Sequence, residues 1–187
     1  MILPNNPTQI SLDFLKKLDA DKPGTYMAQP KMDGFRRILR LTDKGYVPEA
    51  KKGGTGEMKP FPPELAEAIK LLPEIGDLDC EWLGTRMVEN KPRHELYIFD
   101  VLRPNASFLM RWLWLTDTLT GHLPDRIRLA SVTYNPGMTD LFQQQLTDPM
   151  SEGIVIRRAD CALIQKGGIN PLMFKAKYRD IRELVKA

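Results

Sequence analysis

The sequence predicts an α+β domain of antiparallel sheets with flanking helices. Stretches with strand character outnumber helical ones, and they alternate apolar with polar residues. That is the pattern of sheets that keep one face solvated, and it favours antiparallel pairing over a doubly wound parallel sheet. The 187 residues, 42% hydrophobic and 27% charged, suffice for one sizeable core with room for an extra lobe. No internal repeat or low-complexity segment interrupts the pattern.

Taken in order, residues 11–20 carry Leu12, Phe14, Leu15 and Leu18 at helical spacing, with Ser11 placed to cap the first turn. Asp21-Lys22-Pro23-Gly24 ends that helix as a turn. Residues 25–29 read as a strand running into Lys31. Residues 36–41 form a second strand, and Gly45-Tyr46-Val47 continues the sheet. Residues 51–59 hold three glycines and three lysines and read as a loop, either a solvated hairpin tip or a phosphate-contacting segment. Pro62-Pro63 opens a helix with Leu65, Ala68, Ile69 and Leu72 on one face, closed by Pro73 and Gly76. Residues 78–83 and 95–102 are strands. Asn105 or Ser107 caps a helix to about Leu119, in which Met110, Trp112 and Trp114 are read as packing residues. Residues 126–134 alternate as a strand, Asn135-Pro136-Gly137 turns, and Thr139 caps a short helix through Leu146. Residues 152–158 and 172–178 are the last strands, with a Lys166-Gly167-Gly168 loop between them.

The net charge of +3 permits a nucleic-acid partner without requiring one. Cys80 and Cys161 are far apart, in apolar stretches with no metal-ligand spacing, and read as buried thiols of a reducing compartment. Residues 1–6 lack the basic-then-apolar pattern of a signal peptide. The most apolar stretch, residues 108–115, is broken by Arg111 and too short to cross a bilayer. The expectation is a cytoplasmic protein with no membrane partner.

The chemistry concentrates in Lys31-Met32-Asp33-Gly34-Phe35-Arg36. Six residues hold a potential amine nucleophile, an acid, a turn and a second cation. A lysine is a poor nucleophile while protonated, and burial or nearby positive charge favours its neutral form. Gly34 permits a backbone that a phosphate can approach closely. If the chain after the turn is extended, Lys31 and Arg36 fall on opposite faces unless the turn resets the register. Taken alone, the hexapeptide also fits a solvated hairpin corner.

Three further places bear on the same chemistry. Lys175 and Lys177, at i and i+2, point to one face of an extended strand. They repel there unless an anion sits between them, and a phosphate would serve; two solvent-facing lysines on an amphipathic edge are the alternative. Glu152 opens an otherwise apolar strand, where a carboxylate is costly unless paired or bound to metal; a surface acid is the alternative. Glu81 sits similarly between Cys80 and Trp82. Phe99 lies in an apolar strand, where packing is its plain role.

Read together, the Lys31–Arg36 hexapeptide, Leu78-Asp79-Cys80-Glu81-Trp82-Leu83, Leu96-Tyr97-Ile98-Phe99-Asp100-Val101-Leu102, Glu152-Gly153-Ile154-Val155-Ile156-Arg157 and Met173-Phe174-Lys175-Ala176-Lys177 resemble motifs I, III, IIIa, IV and V of the covalent nucleotidyltransferases. That superfamily holds ATP-dependent DNA ligases, RNA ligases and mRNA-capping guanylyltransferases. Five motifs in one order, spanning about residues 29–177, are far more specific than any one of them. The resemblance implies a ligase-type nucleotidyltransferase domain whose two antiparallel sheets form a nucleotide cleft. It implies that Lys31 forms a covalent lysine–nucleotide phosphoramidate and that Asp33 and Gly34 shape the turn. Arg36 and Glu81 would contact ribose or the phosphate of the acceptor strand, and Phe99 would stack on the base. Glu152, with Glu81, would hold Mg2+, and Lys175 and Lys177 would contact the α-phosphate. Gln29, Pro30 and Arg157 complete the implied cofactor-contacting set.

The match departs from the family pattern in places. Two residues before the nucleophile, DNA ligases usually carry Glu. Gln29 can accept or donate, so it could meet the carbonyl of guanine as well as the amino group of adenine. The nearest counterpart of the ligase Ser-Arg-x-Gly motif is Ala50-Lys51-Lys52-Gly53. Lys51 and Lys52 keep the charge for nucleic-acid contact but lose the fork of arginine. Arg157 stands where the fourth motif usually ends in Lys, which preserves a cation. The chain stops at Ala187, ten residues beyond Lys177, where the family usually continues into an OB-fold. The expected organisation is therefore one nucleotidyltransferase domain over residues 1–187. It would act alone, be cut from a longer chain, or be completed by an OB-fold partner in trans.

The function this implies is that of an ATP-dependent DNA ligase using ATP and Mg2+ to seal nicked double-stranded DNA. Arg36 after Asp-Gly favours DNA ligases and capping enzymes, since RNA ligases more often place a small hydroxyl residue where Phe35 stands. The alternatives are a capping guanylyltransferase or RNA ligase and, from another class, a catalytically inactive nucleotide- or nucleic-acid-binding module.

Overall fold

The computed structural model describes residues 4–50, 59–84, 87–88, 91–92, 94–164 and 168–178. Its elements are β1 (Asn5–Gln9), α1 (Leu12–Asp19), β2 (Tyr26–Met32), β3 (Phe35–Thr42), β4 (Gly45–Ala50), α2 (Pro63–Lys70), β5 (Leu78–Trp82), β6 (Met87–Val88), β7 (Lys91–Pro92), β8 (Leu96–Val101), α3 (Phe108–Leu119), β9 (Ile127–Leu129), β10 (Thr133–Tyr134), α4 (Met138–Gln145), β11 (Ser151–Arg158) and β12 (Gly168–Lys177). The chain divides into two compact units. One comprises Met1–Asp33, Pro104–Leu109 and Ser131–Ala187, the other Gly34–Arg103 and Met110–Ala130.

The first unit holds a five-stranded sheet in the order β1-β12-β11-β2-β10. All of its pairs are antiparallel except β1 beside β12. One face of this sheet is apolar. Ala28, Ile154, Ile156 and Ala176 pack with Leu15 and Leu18 of α1 and Met138, Leu141 and Phe142 of α4. Burying each of the larger side chains contributes about 1.5–3 kcal/mol, and a strand slipped by one residue would turn its whole apolar set to the other face. The helix-covered face therefore fixes the register of the opposite face as well.

Strand β1 was not legible in Asn5-Asn6-Pro7-Thr8-Gln9, which lacks apolar alternation. Its anchor is a buried side chain: Asn5 Oδ1 accepts from Ile164 N and Asn170 Nδ2, both at 2.9 Å. Helix α1 starts as expected, with Ser11 Oγ accepting from Phe14 N at 3.2 Å. Helix α4 does not start with the expected Thr139 cap. Gly137 occupies the N-cap, which makes no side-chain hydrogen bond. Asp19, at the end of α1, instead takes the N–H groups of Gly137, Met138 and Thr139 at 2.8–3.0 Å. Burial pushes the Asp19 carboxyl up, but these donors outweigh it and hold it below its ordinary value.

The second unit holds the sheet β4-β3-β5-β8-β9, antiparallel except for β8 beside β9. Residues 126–134, expected as one strand, are two: β9 joins this sheet and β10 joins the first. A nine-residue alternation fits two short edge strands as well as one long one. In α2, Pro63 lies in the first turn and Leu65, Ala68 and Ile69 are buried. In α3, Trp112, Leu115 and Leu119 are buried, whereas Met110, expected to pack, is 61% exposed. Arg111 of α3 is wholly buried against Asp100, its Nε donating to Oδ1 at 2.7 Å and its Nη2 to Oδ2 at 2.9 Å. A short two-stranded sheet pairs β6 with β7. Both cysteines are buried and free. No helix among the described residues is long and apolar enough to cross a membrane.

Candidate functional site

Opposite the helix-covered face of the first sheet, alternation brings several of the expected site residues together, with apolar residues among them. Strand β2 contributes Met27, Gln29 and Lys31. Strand β11 contributes Gly153, Val155 and Arg157, and β12 contributes Met173, Lys175 and Lys177. The registers align them in three rows: Lys31–Gly153–Lys177, Gln29–Val155–Lys175 and Met27–Arg157–Met173.

In the first row the two lysines flank Gly153. Their strands lie about 10 Å apart, two strand spacings, and the carboxylate of Glu152 bridges them. One oxygen of that carboxylate accepts from Lys31 Nζ, and the other accepts from Lys177 Nζ at 2.7 Å. Simple alternation would send Glu152 to the helix-covered face along with Ile154 and Ile156. A bulge prevents this: Ser151 pairs with Met32 and Gly153 with Lys31, so Glu152 is the extra residue. Bulges re-aim side chains in this way. The device requires glycine at 153. Its φ is +140°, and a Cβ there would run into the carbonyl of Ala176.

Burial raises the Glu152 carboxyl, but the hydrogen bonds and charges of Lys177 and Lys31 outweigh it and hold the group below its ordinary value. The side chains are 22% (Lys31), 11% (Lys177) and 20% (Glu152) exposed.

The second and third rows are more enclosed. Gln29 and Arg157 are both buried, and Arg157 Nη1 donates to Gln29 Oε1. The guanidinium lies over the Phe108 ring, 4.5 Å from its centroid. The two departures from the family pattern thus meet as one buried pair. Lys175 is half-buried. Pro30 is placed differently: it pairs with Ile154, so its ring belongs to the helix-covered face.

In the second unit, Arg36 lies across from Glu81, and Glu81 from Tyr97. Arg36 binds Asp79 through two nitrogens, Nε at 2.8 Å and Nη2, with its guanidinium 5.4 Å from the centroid of Phe99. Burial lowers the Arg36 pKa, but Asp79, with Glu81 and Asp100, carries it above its ordinary value. Asp79 and Asp100 pair, as do Cys80 and Ile98, so Phe99 bulges from β8. Lys31 and Arg36 fall in strands of different sheets, β2 and β3, and the expectation about opposite faces of one strand does not apply. Gly34 is needed for close approach, since a Cβ there would strike the carbonyl of Trp82. Lys51 and Lys52 lie outside the described residues.

Sequence reasoning did not single out Gly153, Ser151 or Asp79. Asp79 left a signal, since i, i+2 spacing puts it on the face of Glu81. Among the described residues, no group of three or more His, Cys, Asp or Glu could hold a metal. Glu152 is one hard carboxylate of the kind that would suit Mg2+, and both of its oxygens here accept from lysines.

No family model and no curated relative matches the chain. Solved structures match its fold. The ligase domain of LigD from M. tuberculosis aligns with a TM-score of 0.72 and 17% identity, over 95% of this chain and 59% of that one. A mycobacterial DNA ligase D complexed with ATP and MES aligns with a TM-score of 0.67 and 15% identity, over 95% and 60%. A Lig E DNA ligase aligns with a TM-score of 0.65 and 14% identity, over 95% and 69%. The chain therefore spans about three-fifths to two-thirds of these structures. Its fold is that of a ligase-type nucleotidyltransferase domain, α+β with two five-stranded sheets, each carrying one parallel pair.

Proposed function

We propose that the chain is the nucleotide-transferring part of an ATP-dependent DNA ligase. The observation that carries this reading is Lys31 beside Lys177 and Glu152 on the open face of a sheet whose fold is shared with DNA ligases. The ATP complex of a mycobacterial DNA ligase D supports ATP as the nucleotide.

In this mechanism the Lys31 amine, freed from Glu152 and neutral, attacks the α-phosphorus of ATP. An N–P bond forms, the bond from the α-phosphorus to the bridging oxygen breaks, and pyrophosphate leaves with that oxygen. The amine proton passes to water. Lys177 and Lys175 neutralise charge on the α-phosphate as it passes through its transition state. Glu152 would be the residue to hold Mg2+, which would supply further neutralisation of phosphate charge there. Gln29, with Arg157 behind it, lies two residues along β2 from the nucleophile, about 7 Å, a reach suited to the base. Glu81 and Arg36 would serve ribose or acceptor phosphate, and Phe99 the base, as the motif resemblance implies. The AMP then passes to the 5′-phosphate of a nick, and the 3′-hydroxyl displaces it. Nicked duplex DNA is the proposed partner, with Lys51 and Lys52 among its contacts. An OB-fold lobe, in this protein or in trans, would complete the grip.

The test is the intact mass of the protein after incubation with Mg2+ and either ATP or GTP, with Lys31→Ala alongside. The expected outcome is gain of one AMP from ATP, absent in the variant, followed by sealing of a nicked duplex. Gain of GMP instead would move the function to guanylyl transfer. No gain from either nucleotide would sink the covalent reading.

A further inference from the structure

The carboxylate of Glu152 reaches Lys31 and Lys177 only because the chain bulges at that residue, and the hydroxyl that closes the bulge is on Ser151. Ser151 Oγ lies 3.3 Å from Lys31 O and 3.1 Å from Gly153 O, and it accepts from Gly153 N at 3.3 Å. These contacts span the two strands and both sides of the extra residue. Ser151 N is itself tied back to Asp148 O at 3.1 Å, and Asp33 N donates to Met150 O at 2.8 Å, so the segment before the bulge is also held. Beside Ser151, the Tyr178 hydroxyl donates to Phe142 O at 3.2 Å, and its oxygen is a further acceptor within reach of the serine hydroxyl. Burial, against the serine contact, pushes the Tyr178 phenol up to about 12, so it stays a protonated donor throughout the neutral range.

A bulge breaks the ladder and leaves backbone groups to be satisfied by something else. Here one side chain bridges the break: it accepts from Gly153 N and shares its single proton between the nearby carbonyls of Lys31 and Gly153. Without it, Gly153 N loses that acceptor and the two carbonyls lose that donor where the strand turns its acid outward. We propose that Ser151 is a positioning residue for the proposed transfer reaction. Its hydroxyl locks the bulge in the form that aims Glu152 between Lys31 and Lys177. The role rests on the proposed function for its importance to catalysis, but the geometry it predicts can be tested apart from it.

The variants are Ser151→Ala, which deletes the hydroxyl; Ser151→Thr, which keeps it; and Ser151→Cys, nearly isosteric with only a weak donor. The first readout needs no nucleotide. Lysines are acetylated briefly at one fixed pH, and labelling of Lys31 and Lys177 is compared by peptide mass spectrometry with that of Lys16 and Lys70. In the native protein Lys31 and Lys177 are engaged by Glu152 and label slowly. In Ser151→Ala both should label faster relative to Lys16 and Lys70 by about fivefold, the worth of one net hydrogen bond. Ser151→Thr should match the native protein, and Ser151→Cys should fall between. Using Lys16 and Lys70 as internal references separates a local loss from a general loosening, and if Ser151→Ala does not fold, the Ser151→Cys and Ser151→Thr pair decides. The second readout is nucleotide incorporation. The rate at saturating ATP should fall about fivefold in Ser151→Ala with the half-saturating ATP concentration unchanged. Unchanged relative labelling in the folded Ala or Cys variants overturns the proposal, whatever the native protein does with ATP. A native protein that takes no nucleotide, with labelling altered as expected, keeps the positioning role and discards the transfer chemistry.

Discussion

Lys177 donates to Glu152 at 2.7 Å, and the other oxygen of that carboxylate accepts from Lys31, which faces Lys177 across Gly153 in the register. Without that carboxylate, two like charges two strands apart would face each other. The acid between them is held by a bulge rather than by strand alternation. The triad is therefore a property of the fold's register, with consequences for stability as well as chemistry.

The first consequence is a pH dependence. The Glu152 carboxyl is held below its ordinary value in the folded chain. A depressed carboxyl contributes stability that is fully present above its unfolded value of about 4.3 and is lost as pH falls through the lower folded value. Thermal unfolding of the native protein and Glu152→Gln, compared from about pH 7 to about pH 3, should show a constant gap in the neutral range. The gap should close at the acid end, where the protonated acid resembles the amide. A gap that stays the same at the lowest pH would show that the ion pairs add nothing.

Gly153→Ala should damage both fold and site. The position has φ +140° and a backbone carbonyl where the new Cβ would go, so the expected cost is at least about 2 kcal/mol, or a Tm lowered by roughly 5 °C for a chain of this size. Gly24→Ala is the control: its φ is +79° with nothing within 4 Å of the added Cβ, so only the backbone strain of about 1–2 kcal/mol remains. Equal losses at the two positions, by differential scanning calorimetry, would contradict the close approach at Gly153.

The Arg111–Asp100 pair lies wholly inside, with side-chain exposures of 0% and 4%. Asp100→Ala should cost about 3–5 kcal/mol, because it strips a buried guanidinium of its carboxylate. Asp100→Leu combined with Arg111→Met should cost less than that single change, since no buried charge is left behind. Urea denaturation measures both, and a double variant less stable than Asp100→Ala would refute this account.

The sequence by itself determined the face assignments and the order of the chemical groups. Period-two alternation put Lys175 and Lys177 on one face, the run after Glu152 read as an apolar strand, and helical spacing grouped Leu15 and Leu18 on one helix. These are local properties, written in side-chain polarity at fixed intervals, and they survive in any fold that uses the strands. Tertiary structure alone decided where the alternation is broken. Glu152 reaches the lysines, and Phe99 bulges toward Arg36, only because neighbouring strands pair out of step at those residues. A register shift is a relation between two strands and leaves no mark in either strand alone. The same holds for Asp19 capping a helix more than a hundred residues away, for β1 joining an edge that its own composition does not predict, and for Gln29 and Arg157, which meet only because β2 and β11 lie side by side.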